Sequence, residues 1–186
     1  MAAVEEAHPT ARVELWAFDE HRIGLLPIAR KVWAKAGSRP VRIVQTRYQW
    51  LYLYGFVHPQ TGRTRFLALP GMKAALYTRA LQDFAQAMGA GPGKRVVLVV
   101  DGAGSHRSHE VVVPEGLHLI ALPPYSPELQ PAERLWPLTN EPLVNRHFAS
   151  LADLEAVQIA HCQRLASLPE PVRGRTLFHW WPRTAK

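Results

Sequence analysis

The sequence predicts an α/β protein that is built on one mixed β-sheet with helices on both faces. Residues 96–100 form an uninterrupted run of valine and leucine, which is typical of a strand buried on both faces. Residues 42–69 carry alternating aromatic side chains ahead of a turn, which indicates a β-hairpin. Between the two, residues 76–88 repeat apolar side chains at intervals of three and four, which indicates a helix. A hairpin that leads through a helix into a central strand is typical of a mixed sheet and not of a strictly alternating parallel fold.

The elements before the central strand follow from period-two patterns and turn residues. Residues 13–19 alternate, are rich in β-forming side chains and predict a strand that ends in an aspartate. Residues 42–57 predict a second strand, interrupted or bent near Arg47. The turn at 59–62 then returns the chain as a third strand at 65–69.

The elements after the hairpin are predicted from helix signals and a second apolar run. Gly89 is expected to end the first helix. Residues 117–122 predict a short buried strand, and residues 129–146 and 151–168 predict two further helices. Ser150 is placed to cap the last of these helices, because an acidic residue follows three positions later.

Length and composition indicate one globular domain. The chain has 186 residues, of which 47% are hydrophobic, so it can bury a core without disulfides. We expect a polar N-terminal tail at 1–12, one folded domain at 13–168 and a C-terminal tail at 169–186. No run of about 18 apolar residues is present, which excludes a transmembrane helix and a membrane partner. The single cysteine, Cys162, excludes a disulfide framework and fits a reducing cytosol.

The charge is unevenly distributed along the chain. The formal net charge is +7, and residues 21–100 contain 13 basic side chains but only one acid, Asp83. A basic half of this kind indicates a polyanionic partner, and we expect nucleic acid. A basic surface without any partner is the alternative.

Two of the four aspartates directly follow apolar strands. Asp19 and Asp101 are expected at the rim of the sheet, where α/β proteins place their sites. If the two strands are neighbours, their carboxylates could share a divalent cation, which would relieve their mutual repulsion. Alternatively, Asp101 only begins a turn, because Asp101-Gly102 is a turn dipeptide.

A proline-rich segment supplies a third acid. Residues 123–136 read PPYSPELQPAERLW, and Pro131 suits the first turn of a helix. Glu133 would then lie in that first turn, whereas Glu128 lies in the preceding loop and competes for the same role.

Three blocks in this order resemble those of the DDE-superfamily endonucleases, and in particular the mariner-like transposases of bacterial insertion sequences. The blocks are residues 18–20, residues 99–106 and the long segment 123–136. The resemblance covers about residues 13–165. It implies an RNase H-like fold, two Mg²⁺ ions that Mn²⁺ could replace, and DNA cleavage followed by strand transfer.

The resemblance assigns the catalytic and metal-binding roles to Asp19, Asp101 and Glu133. The second and third acids lie 32 positions apart, slightly closer than is usual in the family, and Gly102 stands where many relatives have asparagine. The family also implies DNA as the partner, bound by a homodimer at the nucleoid in the bacterial cytoplasm. Such transposases usually carry an N-terminal helix-turn-helix domain, and because nothing before Val13 resembles one, we expect a catalytic half.

Further side chains are candidates for contact with DNA. His106 lies where relatives often have histidine and could contact a phosphate. The spacing of His106 and His109 could suggest zinc, which the shortage of further ligands argues against. The aromatic side chains from Tyr48 to Phe56 could stack on bases, but we expect them to pack in the core. The arginines expected to grip the DNA backbone are Arg39, Arg42, Arg47, Arg63 and Arg65.

Two alternatives stay open at the level of sequence. One is an RNase H-like nuclease that shares the three acids and only hydrolyses. The other is a non-catalytic remnant of a transposase that binds DNA through its basic surface.

Overall fold

The protein forms a five-stranded sheet covered by helices. The computed structural model describes residues 1–182 except 42, 45, 103–108 and 125. The helices and strands are, in chain order, α1 (Ala2–Ala7), β1 (Arg12–Gly24), β2 (Trp50–His58), β3 (Arg63–Leu69), α2 (Ala74–Met88), β4 (Lys94–Val100), β5 (Leu117–Ala121), α3 (Trp136–Thr139), α4 (Leu151–Ala166) and α5 (Pro169–Thr176).

The sheet is mixed, as predicted. Its strand order is β3-β2-β1-β4-β5, with β1 antiparallel to β2 and parallel to β4. The hairpin β2-β3 is antiparallel, and β5 runs parallel to β4 at the edge. Strand β1 lies in the centre of the sheet, and its side chains pack on both faces of the sheet.

Alternating side chains of the central strands build two cores. On one face, Trp16 and Phe18 of β1 pack with Leu98 of β4 against helix α2. On the other face, Leu15 and Ala17 pack with residues of the proline-rich segment and of α5. Helices therefore cover both faces, which confirms the predicted arrangement.

Local signals set the ends of two helices as expected. Helix α2 ends at Gly89, whose φ of 65° lies in the left-handed region that favours glycine. Helix α4 begins after Ser150, whose hydroxyl accepts a hydrogen bond from the Asp153 backbone, while the Asp153 carboxylate accepts one from Ser150 N–H.

The predicted strand at 42–57 is too long. Strand β2 begins only at Trp50, and the described residues of 42–49 form no strand. Tyr48 is 76% exposed and Trp50 42% exposed, whereas Tyr54 and Phe56 are fully buried. The alternating aromatic residues begin before the strand does, so Tyr54 and Phe56 pack in the core, whereas Tyr48 does not.

The predicted helix at 129–146 is wrong. The chain forms 3₁₀ turns at Pro127–Leu129, Pro131–Leu135 and Glu141–Leu143 and one helical turn, α3. Prolines recur at positions 127, 131, 137 and 142, and each lacks the N–H that a continuous helix needs.

Strand β5 is less buried than predicted. It lies at the edge of the sheet, where Ile120 and Ala121 are exposed and only Leu117 is buried. An edge strand has a neighbour on one side only, so an apolar run does not imply burial on both faces.

The last part of the chain packs on the face of the sheet that carries Leu15 and Ala17. Helix α5 buries Val172 and Thr176, and Trp181 behind it is 5% exposed. Among the described residues, no helix has both the length and the apolar character to cross a membrane.

Candidate active site

The fold brings the first two acids to corresponding positions on neighbouring parallel strands. Ala17 of β1 lies opposite Val99 of β4, and Asp19 and Asp101 each follow two residues later. Because side chains alternate along a strand, Asp19 and Asp101 belong to the face of the sheet that carries Ala17 and Val99, on which the proline-rich segment packs. The negative charge of Asp101 contributes to a raised pKa at Asp19, so the two carboxylates sense each other.

Burial dominates the environment of Asp19. It raises the pKa of the Asp19 carboxyl to about 7, and the charges of Glu20 and Asp101 act in the same direction. Hydrogen bonds from the Trp136 indole and the Glu20 backbone oppose this rise, because they favour the charged form. A carboxylate that is costly to keep ionised in the protein alone gains from a nearby cation.

The third acid lies in the 3₁₀ turn Pro131–Leu135. Partial burial raises the pKa of Glu133, and the charges of Asp101 and Glu128 add to this effect while Arg134 opposes it. Asp101 is therefore the acid that interacts electrostatically with both of the others.

A cleft of 390 Å³ lies between the end of β4 and the proline-rich segment. Asp101, Gly102 and Glu133 line it together with Gln130 and several residues of 122–127. Two of the three predicted acids thus line one cleft that is large enough to admit a substrate group.

A buried glutamine fixes the proline-rich segment to the sheet. Gln130 is 2% exposed, and its Nε2 donates to the carbonyl oxygen of Phe18 over 2.9 Å. Its Oε1 accepts from the backbone N–H of Ala132 over 3.3 Å. Sequence reasoning missed Gln130; the one available signal was its place between two prolines in the motif.

A tryptophan reaches the first acid directly. The Nε1 of Trp136 donates to Oδ2 of Asp19 over 2.9 Å, and its ring stacks on His21 with centroids 4.9 Å apart. The sequence placed Trp136 in the motif as an apolar residue and gave no sign of this polar contact.

The donor set of the site suits a hard divalent cation. Asp19, Asp101 and Glu133 offer carboxylate oxygens, the ligands that Mg²⁺ and Mn²⁺ prefer. In the described part of the chain, no three histidine, cysteine, aspartate or glutamate side chains already surround one point. Asp101 corresponds in register to Asp19 and lines one cleft with Glu133, so a cation held by either pair would relieve the repulsion between its carboxylates.

The predicted DNA contacts lie in different surroundings. Arg39 is exposed, and Arg47 donates to the carbonyl oxygen of Ala149. Arg42 and His106, which were also predicted to contact DNA, lie outside the described residues.

The two arginines of β3 have partners within the chain. Arg65 forms a two-pronged ion pair with Asp83, with its shortest contact at 2.8 Å. Arg63 lies 3.6 Å from Glu14 and over the ring of Trp16. These contacts engage both arginines with the protein's own carboxylates.

Most of the chain matches a known family. A second protein is similar to this chain along nearly the whole length of that second protein. Residues 14–155 match the family described as DDE superfamily endonuclease. An uncharacterized protein of Sinorhizobium fredii (strain NBRC 101917 / NGR234), y4pE/y4sA, is 32% identical over 134 residues, which are 70% of this chain and 96% of that protein.

Solved structures are similar in fold. A pre-cleavage Mos1 transpososome gives a TM-score of 0.59 at 13% identity, over 95% of this chain and 59% of that chain. The Mos1 mariner paired end complex with Mn gives a TM-score of 0.57 at 16% identity, over 89% of this chain and 56% of that chain. The chain therefore spans less than two thirds of these Mos1 chains. The likeness confirms the predicted RNase H-like sheet.

Proposed function

The chain belongs to the DDE superfamily endonucleases, and from this premise we propose that it is the catalytic domain of a transposase that cleaves DNA and joins the cut strand to a target. The observation that carries the proposal is the position of Asp101, which corresponds in register to Asp19 on the neighbouring strand and lines one cleft with Glu133. The order of the three acids along the chain matches the motif order of the family.

Asp19, Asp101 and Glu133 are the residues that would hold the cations. When bound, Mg²⁺ or Mn²⁺ would activate a water or a 3′-hydroxyl as the nucleophile and would stabilise the leaving oxygen. Two observations support cation-dependent chemistry: the donor set consists entirely of carboxylates, and a Mos1 paired end complex of similar fold was solved with Mn.

The single cysteine of the chain is unsuited to act as a nucleophile. Burial raises the pKa of the Cys162 thiol to about 12, and the residue is only 4% exposed, so it is neither ionised nor accessible. The cleft that Asp101 and Glu133 line is bordered by Gly102, Ser126 and three prolines.

DNA is the proposed substrate and partner. The net charge of +7 favours a polyanion, and one Mos1 structure of similar fold is a paired-end complex with the left transposon end. Assembly of two copies on DNA stays a prediction from the resemblance.

The test uses labelled duplex DNA at low salt with Mn²⁺ or Mg²⁺. We expect cation-dependent nicks and, with a free 3′-hydroxyl end present, joined strand-transfer products. Asp101→Asn should lose both activities by orders of magnitude, because it removes the carboxylate that both pairs share. Nicks without any joined product would indicate the purely hydrolytic nuclease. Unchanged cleavage by the Asp101→Asn variant would overturn the assignment of the site.

A further inference from the structure

We propose that Trp136 is a positioning residue, which holds the carboxylate of Asp19 and couples it to the segment that carries Glu133. The inference rests on the proposed function, because it gives the role of a cation ligand to Asp19. It concerns how the chain prepares this ligand before any cation or DNA arrives.

The contact is a hydrogen bond between a donor-only group and a carboxylate. Trp136 Nε1 lies 2.9 Å from Asp19 Oδ2, and an indole N–H can only donate. A carboxylate offers about four acceptor positions. The bonds from Trp136 and from the Glu20 backbone therefore orient the group and still leave positions for a cation.

The Trp136 indole packs on the sheet at a glycine that is paired with Asp19. Gly55 of β2 is the residue paired with Asp19. A Cβ at Gly55 would come within 2.8 Å of Trp136 Cη2 and 3.1 Å of Leu135 Cδ1. On its other side the ring stacks on His21 at an interplanar angle of 14°. A side chain at position 55 would therefore displace the donor from the carboxylate.

The same short segment joins the first and third acids. Trp136 lies three residues after Glu133, and Gln130 lies three residues before it. Gln130 bonds to the carbonyl of Phe18, and Trp136 bonds to Asp19, the next residue of β1. Both ends of the segment are thus fixed to adjacent residues of one strand, and a shift of the segment would move Glu133 together with the donor to Asp19.

A role in packing alone predicts a different outcome from a role in positioning. Phenylalanine at position 136 retains an aromatic ring but has neither the N–H nor the outer indole atoms that lie against Gly55. The variant Trp136→Phe is therefore compared with a second tryptophan variant that loses the same atoms. The chain also offers a matched control, because Trp16 Nε1 donates to Glu14 Oε2 over 3.0 Å on the same strand.

The experiment measures Mn²⁺ binding without DNA by electron paramagnetic resonance of the free ion, in wild-type protein, Trp136→Phe and Trp16→Phe. Loss of a partner that orients a metal ligand typically weakens metal binding by about 10–100-fold. We expect Trp136→Phe to weaken Mn²⁺ binding by about tenfold, and Trp16→Phe to bind Mn²⁺ as the wild type does. The variant Gly55→Ala, which retains the indole but displaces it, should also weaken binding.

Each other outcome counts against the inference. Wild-type affinity in Trp136→Phe would show that the hydrogen bond does not position Asp19. Equal weakening in Trp16→Phe would show a general loosening of β1. If Trp136→Phe does not fold, wild-type affinity in Gly55→Ala overturns the inference. Absence of Mn²⁺ binding in the wild type would overturn the proposed cation site itself, and with it this role of Trp136.

Discussion

The Nε2 of Gln130 lies 2.9 Å from the carbonyl oxygen of Phe18, the residue directly before the first acid of the candidate site. Gln130 is 2% exposed, so this hydrogen bond is made away from water. It holds the turn that carries Glu133 against the central strand. This buried amide therefore joins the turn that carries Glu133 to the strand that carries Asp19.

Replacing Gln130 by leucine tests this dependence. The variant removes the donor to the Phe18 carbonyl, and loss of a buried hydrogen bond of this kind costs about 1–3 kcal/mol. We expect the free energy of unfolding, measured by urea denaturation, to fall by that amount and cation-dependent cleavage to fall with it. The exposed Gln163 of α4 provides the control, and Gln163→Leu should stay within about 0.5 kcal/mol of the wild type. Equal stability of the two variants would contradict a structural role for Gln130.

Glu133 and Glu128 can be distinguished by paired substitutions. Glu133→Gln keeps the size of the side chain and removes its charge, so cleavage should drop by orders of magnitude. DNA binding without a cation should persist or tighten slightly, because one negative charge near the phosphates is lost. Cleavage of labelled duplex and gel-shift titration measure the two effects.

The control for this pair is Glu128→Gln, which lies in the neighbouring 3₁₀ turn and should leave most activity intact. An inactive Glu128 variant beside an active Glu133 variant would transfer the role of third acid to Glu128. Activity in both variants would leave a site of two carboxylates only.

Arg39 and Arg65 should differ in their effect on DNA binding. Arg39 is exposed, whereas the charge of Arg65 is matched by Asp83 in a two-pronged ion pair. We expect Arg39→Ala to weaken binding to duplexes of any sequence and to reduce the slope of log affinity against log salt by about one. Arg65→Ala should change both quantities less. A larger loss in Arg65→Ala would mean that DNA displaces Asp83 from its partner.

Stability should fall in acid through His58. Burial lowers the pKa of His58 to about 4, and the charges of Arg63 and Lys94 add to this effect while Glu14 opposes it. Between pH 6.5 and about 4, the unfolded chain binds a proton at this histidine and the folded chain does not, so stability decreases as the pH falls. The full contribution, up to about 3 kcal/mol, is present above pH 6.5.

Urea denaturation of wild type and His58→Gln at pH 7.5, 6, 5 and 4 measures this contribution. The difference between the two proteins should shrink steadily as the pH falls through this window. His21 and His118, whose pKa values burial also lowers, give a background of the same sign in both proteins. A difference that does not change with pH would show that the pKa of His58 is the same in the folded and the unfolded protein.

The candidate site was predictable in part because its acids follow strong local patterns. Asp19 and Asp101 end or follow apolar strands, and Glu133 belongs to a long motif. The corresponding register of Asp19 and Asp101 required the pairing of β1 with β4, which joins residues 82 positions apart. No local pattern encodes such a pairing, since it depends on the packing of the whole sheet.

The errors have the same origin. The alternation of aromatic residues begins at Tyr48, before the first residue of β2, Trp50. The apolar run at 117–121 forms an edge strand. In the segment from 127 to 143, repeated prolines outweighed the apolar spacing. Periodicity describes which side chains could share a face, but the neighbours decide whether that face is buried.

The sequence by itself determined the α/β class, the hairpin and the ends of α2 and α4, because backbone preferences, capping groups and side-chain periodicity act over a few residues. The assignment of the three acids stays a prediction from the motifs. Only the tertiary structure decided that Trp136 would donate to Asp19 across 117 positions, that Gln130 would reach Phe18, and that Arg65 would be matched by Asp83. These contacts join groups that are distant along the chain. They form because the packing of the second face on β1, and of α2 beside β3, brings a donor and an acceptor to hydrogen-bond distance.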